Sequence, residues 1–245
     1  MKKEEYKNIF ILENNHWWYQ GMQKISRGLL APIVKNKNNL AILDAGCGTG
    51  GMMVSLSQFG QVWGIDISPE ALAFCRRRKL KNVKLASVEK IPFENETFDL
   101  ITSFDVLYHQ WVKDDTQALK EFFRVLKPGG YVLLRVSAYN WLRGKHDKIV
   151  ATRHRYSKKE LCQKTKKSGF IISRATYANT ILFPAAFFMR LLENFSSREE
   201  NSDIKPTTKM VNQVLKNILF LEAFLIRRLN LPFGLSLFVL AQKPR

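Results

Sequence analysis

From residue 40 onward, short apolar runs alternate with stretches of helical periodicity. Leu40–Ala45 is an apolar run closed by glycines, as expected for a strand buried on both faces. The same pattern predicts strands over 62–66, 82–86, Phe98–Phe104 and 131–137. Between them the spacing predicts helices over 51–59, from Ser68-Pro69-Glu70, and over 115–126. Ser68 reads as an N-cap with Pro69 at the first helical position. Lys127-Pro128-Gly129-Gly130 stops the third of these helices before the next strand. Residues 4–34 read as helices interrupted near 14–16. After residue 156 come a helix over 157–168, a strand over 170–177, a helical stretch at roughly 181–230 and a closing strand over 235–242. The polar segment 196–208, with Pro206, predicts a mobile loop. Strands alternating with helices predict an α/β fold, a doubly wound and mostly parallel seven-stranded sheet that binds ligands beyond the carboxyl ends of its strands.

The loop after the first strand reads Asp44-Ala45-Gly46-Cys47-Gly48-Thr49-Gly50-Gly51. Glycines let the backbone turn tightly and approach a ligand without a Cβ. Gly46, Gly48 and Gly51 also fit the dinucleotide spacing G-x-G-x-x-G, so two acidic positions must discriminate. Asp66 ends the second strand, where a carboxylate can accept ribose hydroxyls, which suits several nucleotide-like cofactors. Asp44 stands at the loop entrance. A carboxylate there opposes a diphosphate and favours a ligand carrying an ammonium and a sulfonium.

On these residues, 42–51 resembles the first motif of the class I S-adenosylmethionine-dependent methyltransferases, and the resemblance extends over most of 38–170. Ala86-Ser87-Val88-Glu89-Lys90-Ile91-Pro92-Phe93 looks like the family's adenine-contact segment, with Ser87 where relatives commonly carry an aspartate. Ser103-Phe104-Asp105-Val106-Leu107-Tyr108-His109 resembles the loop after the fourth strand, whose backbone near Phe104 faces the methionine end. Arg124 to Gly130 resembles the turn into the fifth strand. The resemblance implies S-adenosylmethionine as cofactor, S-adenosylhomocysteine as product and no metal. Its cofactor-binding set is Asp44, Ala45, Gly46, Cys47, Gly48, Gly50, Asp66, Ile67, Ser87, Val88 and Phe104. One domain over 1–245 follows, with a helical cap (1–37), a cofactor-binding core (38–180), a helical insertion or acceptor lid (181–230) and the last strand (231–245).

Methyl transfer from a sulfonium is an in-line displacement that needs alignment and dryness, and a base only where the acceptor loses a proton. His109 is the candidate base, with Tyr108 and Asp105 behind it; a histidine that fixes the loop is the alternative. His16-Trp17-Trp18-Tyr19 resembles an N-terminal segment of some bacterial members of the family, with Gln20 and Gly21 where those carry an arginine. Trp17 and Tyr19 are therefore acceptor-side candidates, or core aromatics. His146, Arg153, Arg155 and Tyr156 follow the fifth strand and could hold a phosphate or carboxylate, or form an ion-pair cluster.

Charge and composition then narrow the acceptor. The 245 residues carry 39 Lys and Arg against 21 Asp and Glu, a net +18. Residues 143–174 hold eleven of the basic side chains against Asp147 and Glu160. Such a surface meets phosphate, anionic lipid or an acidic substrate, or is simply solvated. The apolar residues of 181–230, Phe183, Phe187, Phe188, Met210, Val214 and Ile218 among them, suit a lipid- or sugar-linked small-molecule acceptor, a peripheral membrane face, or a packed subdomain. Three scattered cysteines, a charged N-terminus and the lack of an apolar run of spanning length predict a cytoplasmic protein, with peripheral contact at the inner face of the membrane as the variant. RNA methylation is the second reading and is disfavoured. The loop Ser103-Phe104-Asp105-Val106 is not the polar–Pro–Pro–aromatic loop of base-amino methyltransferases, and no RNA-binding module is visible. A non-catalytic cofactor-binding protein is the third reading, and a dehydrogenase, opposed by Asp44, the fourth.

Overall fold

The computed structural model describes residues 3–35, 37, 39–194 and 207–245, and for 3, 145, 146 and 190–194 the backbone only. The expected loop at 196–208 falls almost wholly outside the described residues. Helices α1 (Lys3–Leu12) and α2 (Trp17–Val34) precede β1 (Leu40–Ala45). Then follow α3 (Gly51–Leu56), β2 (Gly60–Asp66), α4 (Pro69–Arg77), β3 (Val83–Leu85), β4 (Phe98–Phe104), α5 (Asp115–Val125) and β5 (Leu126–Ser137). The second half adds α6 (Lys145–Ile149), α7 (Lys158–Lys167), β6 (Ile171–Ala178), α8 (Phe183–Asn194), α9 (Lys209–Ile226) and β7 (Ser236–Gln242).

The strands form one seven-stranded sheet in the order β3-β2-β1-β4-β5-β7-β6. β7 runs antiparallel to both β5 and β6, and the other neighbours are parallel. The order reverses between β1 and β4, so the carboxyl ends of those strands open a crevice. One face of the sheet is covered by a core that includes Phe122 of α5 and Leu161 of α7; the other takes Ile25 and Leu30 of α2 and Ala223 and Ile226 of α9.

The predicted cap of α4 forms, and α5 has one of its own. Ser68 Oγ accepts from Ala71 N–H at 3.3 Å to cap α4, and Asp114 caps α5 through Thr116 and Gln117. The segment Lys127-Pro128-Gly129-Gly130 differs from expectation: it is not a turn before the strand but the irregular first part of β5. Gly129 takes φ +75°, the register with β4 shifts between Phe98 and Leu100, and Gly129 N–H and Lys243 N–H bond back and forth with the tail after β7. α6 was not legible in the sequence pattern.

The inserted helices also part ways. α9 is a packed element rather than a loose lid. It lies along α2, where a Cβ on Gly21 would come within 2.3 Å of the Leu219 side chain, so glycine permits the close approach. Trp17 N–H donates to Asn212 Oδ1 at 2.8 Å and Asn212 Nδ2 to Asn15 O at 2.9 Å, tying the two helix starts together. Glu222 of α9 is fully buried, and its carboxylate accepts the backbone N–H groups of Asn179 and, at 3.1 Å, Ile181. Burial holds its carboxyl above the usual range while those N–H groups oppose the shift.

Removing this carboxylate strands two backbone donors in a dry turn. Glu222→Ala should therefore cost about 2–4 kcal/mol in equilibrium denaturant unfolding; a loss within experimental error would show that the turn at 179–181 does not depend on it.

Candidate active site

Four loops at the carboxyl ends of β1, β2, β4 and β5 meet over the crevice. The glycine loop needs its glycines: Gly46, Gly48 and Gly50 have φ of +85°, +54° and +85°. A Cβ on Gly46 would lie 2.1 Å from Val106 Cγ2, so the post-β4 loop packs directly on this turn. A Cβ on Gly48 would meet nothing within 4 Å, so the backbone there faces open space, as a site of close ligand approach requires. Gly46 and Cys47 N–H groups both donate to Ile65 O, which fixes the loop to β2.

Asp66 accepts from Gly48 N–H and from Ser68 N–H, each at 2.9 Å. A carboxylate has about four acceptor positions, so capacity for a ribose hydroxyl remains. Burial raises its carboxyl above the usual range, and these bonds oppose the shift. Ile67 stands beside it, about half exposed. Ser87 Oγ accepts from Glu89 N–H at 3.1 Å, and Val88 is buried under it.

Asp44 is 2 % exposed and accepts from Thr102 Oγ1 at 2.8 Å. Burial, with Thr102 and Arg135 opposing, pushes its carboxyl up to about 7. The sequence argument treated Asp44 as a fixed negative charge. In its buried site the group is instead poised between neutral and ionised near pH 7, and a nearby cation is what favours the ionised form.

Glu13 was not legible as a site residue. It follows α1, is buried, and reaches under the glycine loop. Its Oε1 accepts from Thr49 Oγ1 at 2.5 Å and from Arg78 Nη2 at 2.5 Å, and its carboxylate takes the Gly51 N–H at the start of α3. Burial raises its carboxyl, against those three bonds. Exposed N–H groups at a helix start are where dinucleotide folds seat a diphosphate. Here the protein's own carboxylate takes that place.

Strand β5 carries the second unpredicted group. Arg135 of β5 bonds Asp105 through Nε, at 2.9 Å, and through Nη2, and lies over the Phe104 ring at 5.0 Å. Asp105 has φ +61°, a conformation an aspartate adopts at a cost, of the kind that accompanies functional sites. Tyr19 is half-buried near Glu13, Glu5, Asp105 and Arg135, and burial first, then those carboxylates, hold its phenol up. Tyr108 is buried and bonded to Ser137, with its phenol likewise raised by burial. Tyr19, Asp105, Arg135 and Phe104 thus form one cluster beside the glycine turn.

His109 lies at the edge of this cluster. Its Nδ1 accepts from Trp111 N–H at 3.3 Å, its ring stacks on Trp111 at 6.3 Å, and burial lowers its pKa to about 4. Those contacts fix the loop, and so low a value makes it a poor proton acceptor at neutral pH. The acceptor-side reading of Arg155 and Tyr156 gives way to a structural one. Arg155 is buried and paired with Asp147 at 2.8 and 3.0 Å; Tyr156 is wholly buried with its hydroxyl 2.5 Å from Asp115 Oδ2. Arg153 donates to Lys113 O at 2.7 Å. The Tyr156 bond ties the 145–156 stretch to α5, and the Arg155–Asp147 pair closes the stretch on itself. Trp17 contributes its backbone to the α9 contact while its ring meets Trp18 edge-on at 5.9 Å. The side chain of His146 lies outside the described residues. No group of three or more His, Cys, Asp or Glu among the described residues is placed to hold a metal.

Comparison with known proteins agrees with this geometry. Residues 43–134 match the model of a family described as a methyltransferase domain. The chain is 34% identical over 116 residues to a malonyl-[acyl-carrier protein] O-methyltransferase of Salmonella typhimurium, covering 46% of this chain and 45% of the relative. It is 34% identical over 143 residues to a demethylmenaquinone methyltransferase of Staphylococcus aureus, covering 54% of each. The alignments therefore span about half the length of these relatives. The fold superposes on an S-adenosylmethionine-dependent methyltransferase of Thermotoga maritima with a TM-score of 0.59 at 17% identity, over 98% of this chain and 95% of that one. With a seven-stranded sheet in this order, a glycine loop flanked by Asp44 and Asp66, and matched relatives across residues that include 43–134, this half of the chain is similar to methyltransferase domains, and the fold is that of the class I S-adenosylmethionine-dependent enzymes.

Proposed function

We propose that this protein binds S-adenosylmethionine at the glycine loop and transfers its methyl group to a small-molecule acceptor that is lipid- or sugar-linked. One observation carries the cofactor assignment: the Thr49 hydroxyl and Gly51 N–H at the start of α3 are taken by Glu13, so a diphosphate has no seat. With Asp44 and Asp66 nearby, the loop gathers three carboxylates and suits a cation. The sulfonium supplies an activated methyl group when bound. Asp66 would hold the ribose, Asp44 the ammonium end, and the open backbone at Gly48 the close approach. Ile67, Ser87 and Val88 border the adenine side.

The acceptor enters from the side of Tyr19, Asp105 and Arg135, over the Phe104 edge. Asp105, rather than His109, is the group suited to take a proton from an acceptor O–H or N–H. Both bonds from Arg135 go to its Oδ2, which leaves Oδ1 for that task. For a lipid-like tail the supporting features are the apolar residues of α8 and the exposed stripe Met210, Val214, Leu221 and Phe224 of α9. The named relatives include enzymes of quinone and acyl-carrier-protein substrates, which fits an acceptor with an apolar portion. RNA methylation finds less support, since the arginines that would bind phosphate are engaged within the fold.

Thermal shift tests the cofactor directly. S-adenosylmethionine and S-adenosylhomocysteine should each raise Tm, NAD(P) should not, and Asp66→Ala should abolish the shift. Stabilisation by a nicotinamide nucleotide alone would overturn the assignment.

Asp44 gives binding a pH signature. A cation in the site favours the ionised carboxylate, so affinity for S-adenosylmethionine should fall as pH drops below about 7, approaching tenfold per unit, with proton release on binding at neutral pH. Without ligand the sign is opposite: a raised carboxyl pKa lowers stability as pH climbs from the ordinary carboxyl range to about 7. Asp44→Asn should thus stabilise the free protein and weaken cofactor binding, removing its pH dependence in calorimetry. Unaltered pH dependence in the variant would assign the proton to another group.

A further inference from the structure

The carboxyl ends of β5 and β6 and the start of β7 converge on a cluster of aromatic rings. Tyr139 stacks on Tyr177 at 5.2 Å and on Trp141 at 5.3 Å; Trp141 meets Phe187 edge-on at 5.9 Å. Phe183 contacts Phe233 at 5.4 Å and lies parallel to Phe187 at 6.3 Å. On its inner side the cluster is packed, Tyr177 being buried. On its outer side it is open: Trp141, Phe188 and Met189 are each 63 % exposed. Scattered apolar side chains on a surface are ordinary, whereas a contiguous patch of large ones marks a contact surface.

The surroundings of the patch select the partner. Trp141 leads into exposed Arg143 and then α6, and of the basic side chains in 143–174 Lys148, Lys159, Lys166 and Lys167 are also exposed, whereas Arg155 and Lys164 are paired within the fold. Trp and Phe beside Lys and Arg is the composition of surfaces that lie in the headgroup layer of a bilayer, where rings sit at the interface and cations meet lipid phosphates. No helix among the described residues is long and apolar enough to cross a membrane, so the contact lies on the surface. The patch also adjoins the reaction end of the sheet: Tyr139 is two residues from Ser137, which bonds Tyr108 of the post-β4 loop.

We propose that the face formed by Trp141, Phe183, Phe187, Phe188 and Met189 docks on an anionic phospholipid membrane, so that the acceptor side of the crevice faces the lipid. This surface rests on the methyltransferase reading only for its purpose; docking itself requires neither cofactor nor acceptor. The charge supplies attraction from a distance, which salt screens, and the rings supply the residence.

Co-sedimentation of the full chain with phosphatidylcholine vesicles, with and without phosphatidylglycerol, tests the proposal. Retention should require phosphatidylglycerol, weaken with added salt, and fall roughly tenfold or more in a Trp141→Ala/Phe188→Ala double variant, since both lost side chains are large and apolar. Both positions are exposed, and an unchanged thermal shift with S-adenosylhomocysteine confirms that the variant is folded. Equal retention of variant and parent, or no retention on phosphatidylglycerol vesicles, overturns the proposal. So does concentration-dependent self-association that shields Trp141 in place of lipid binding, or RNA retention that depends on Trp141. A failed thermal shift with intact vesicle binding would instead sink the methyltransferase reading and leave the docking surface standing.

Discussion

A carboxylate from outside the sheet, that of Glu13, takes the Thr49 hydroxyl and the Gly51 N–H at the start of the helix that follows the glycine loop, and the character of the candidate site follows from that contact. The same glycine spacing serves diphosphate-binding proteins, where those donors face the ligand. Here they face inward, to a group that Arg78 partly neutralises and that α1 delivers from the far side of the loop. Arg78 also donates to Thr49 O and lies over Phe10, so α1, the glycine loop and α4 are joined through one guanidinium. The bonds that hold the N-terminal helix in place are the bonds that shape the ligand preference of the loop.

Carboxylates dominate the crevice, yet they are not equivalent. Asp66 spends part of its capacity on backbone N–H groups and is in effect built into the loop. Asp44 has one hydroxyl partner and almost no solvent, so its ionisation is left for the ligand to decide. Asp105 is paired with Arg135 and carries backbone strain that the β5 partner offsets. Three residues of one type thus play three parts, set by hydrogen-bond count and burial rather than by identity.

The second half of the chain divides between packing and exposure. α9 is joined to α2 through glycine contacts and Asn212 and to the turn after β6 through the buried Glu222, whereas α8 and the turn after β5 leave large rings in the open. The basic segment between them proves to be partly internal wiring: Arg155 pairs with Asp147, and Lys164 of α7 with Asp115 of α5. A high net charge therefore overstates how many cations are available to a partner.

Along the chain, the strands of the sheet, the glycine loop, Asp44, Asp66 and the cap at Ser68 were legible because each is a local signal: an apolar run, a φ requirement, an oxygen placed to take a nearby N–H. Even there the sequence misjudged state, since the ionisation of Asp44 depends on burial that no local pattern records. Glu13, Arg135 and Glu222 were not legible. Each looks like an ordinary charged residue in its own segment and acquires its role from a partner distant in sequence, Thr49, Asp105 and the Asn179 turn respectively. For Arg155 and Tyr156 the sequence left an anion site and an ion-pair cluster both open, and it took tertiary contacts with Asp147 and Asp115 to show where their polar atoms are spent. The sequence by itself determined which backbone could form the site; only the tertiary structure decided which charges were left over to act in it, because desolvation and pairing are properties of neighbours in space.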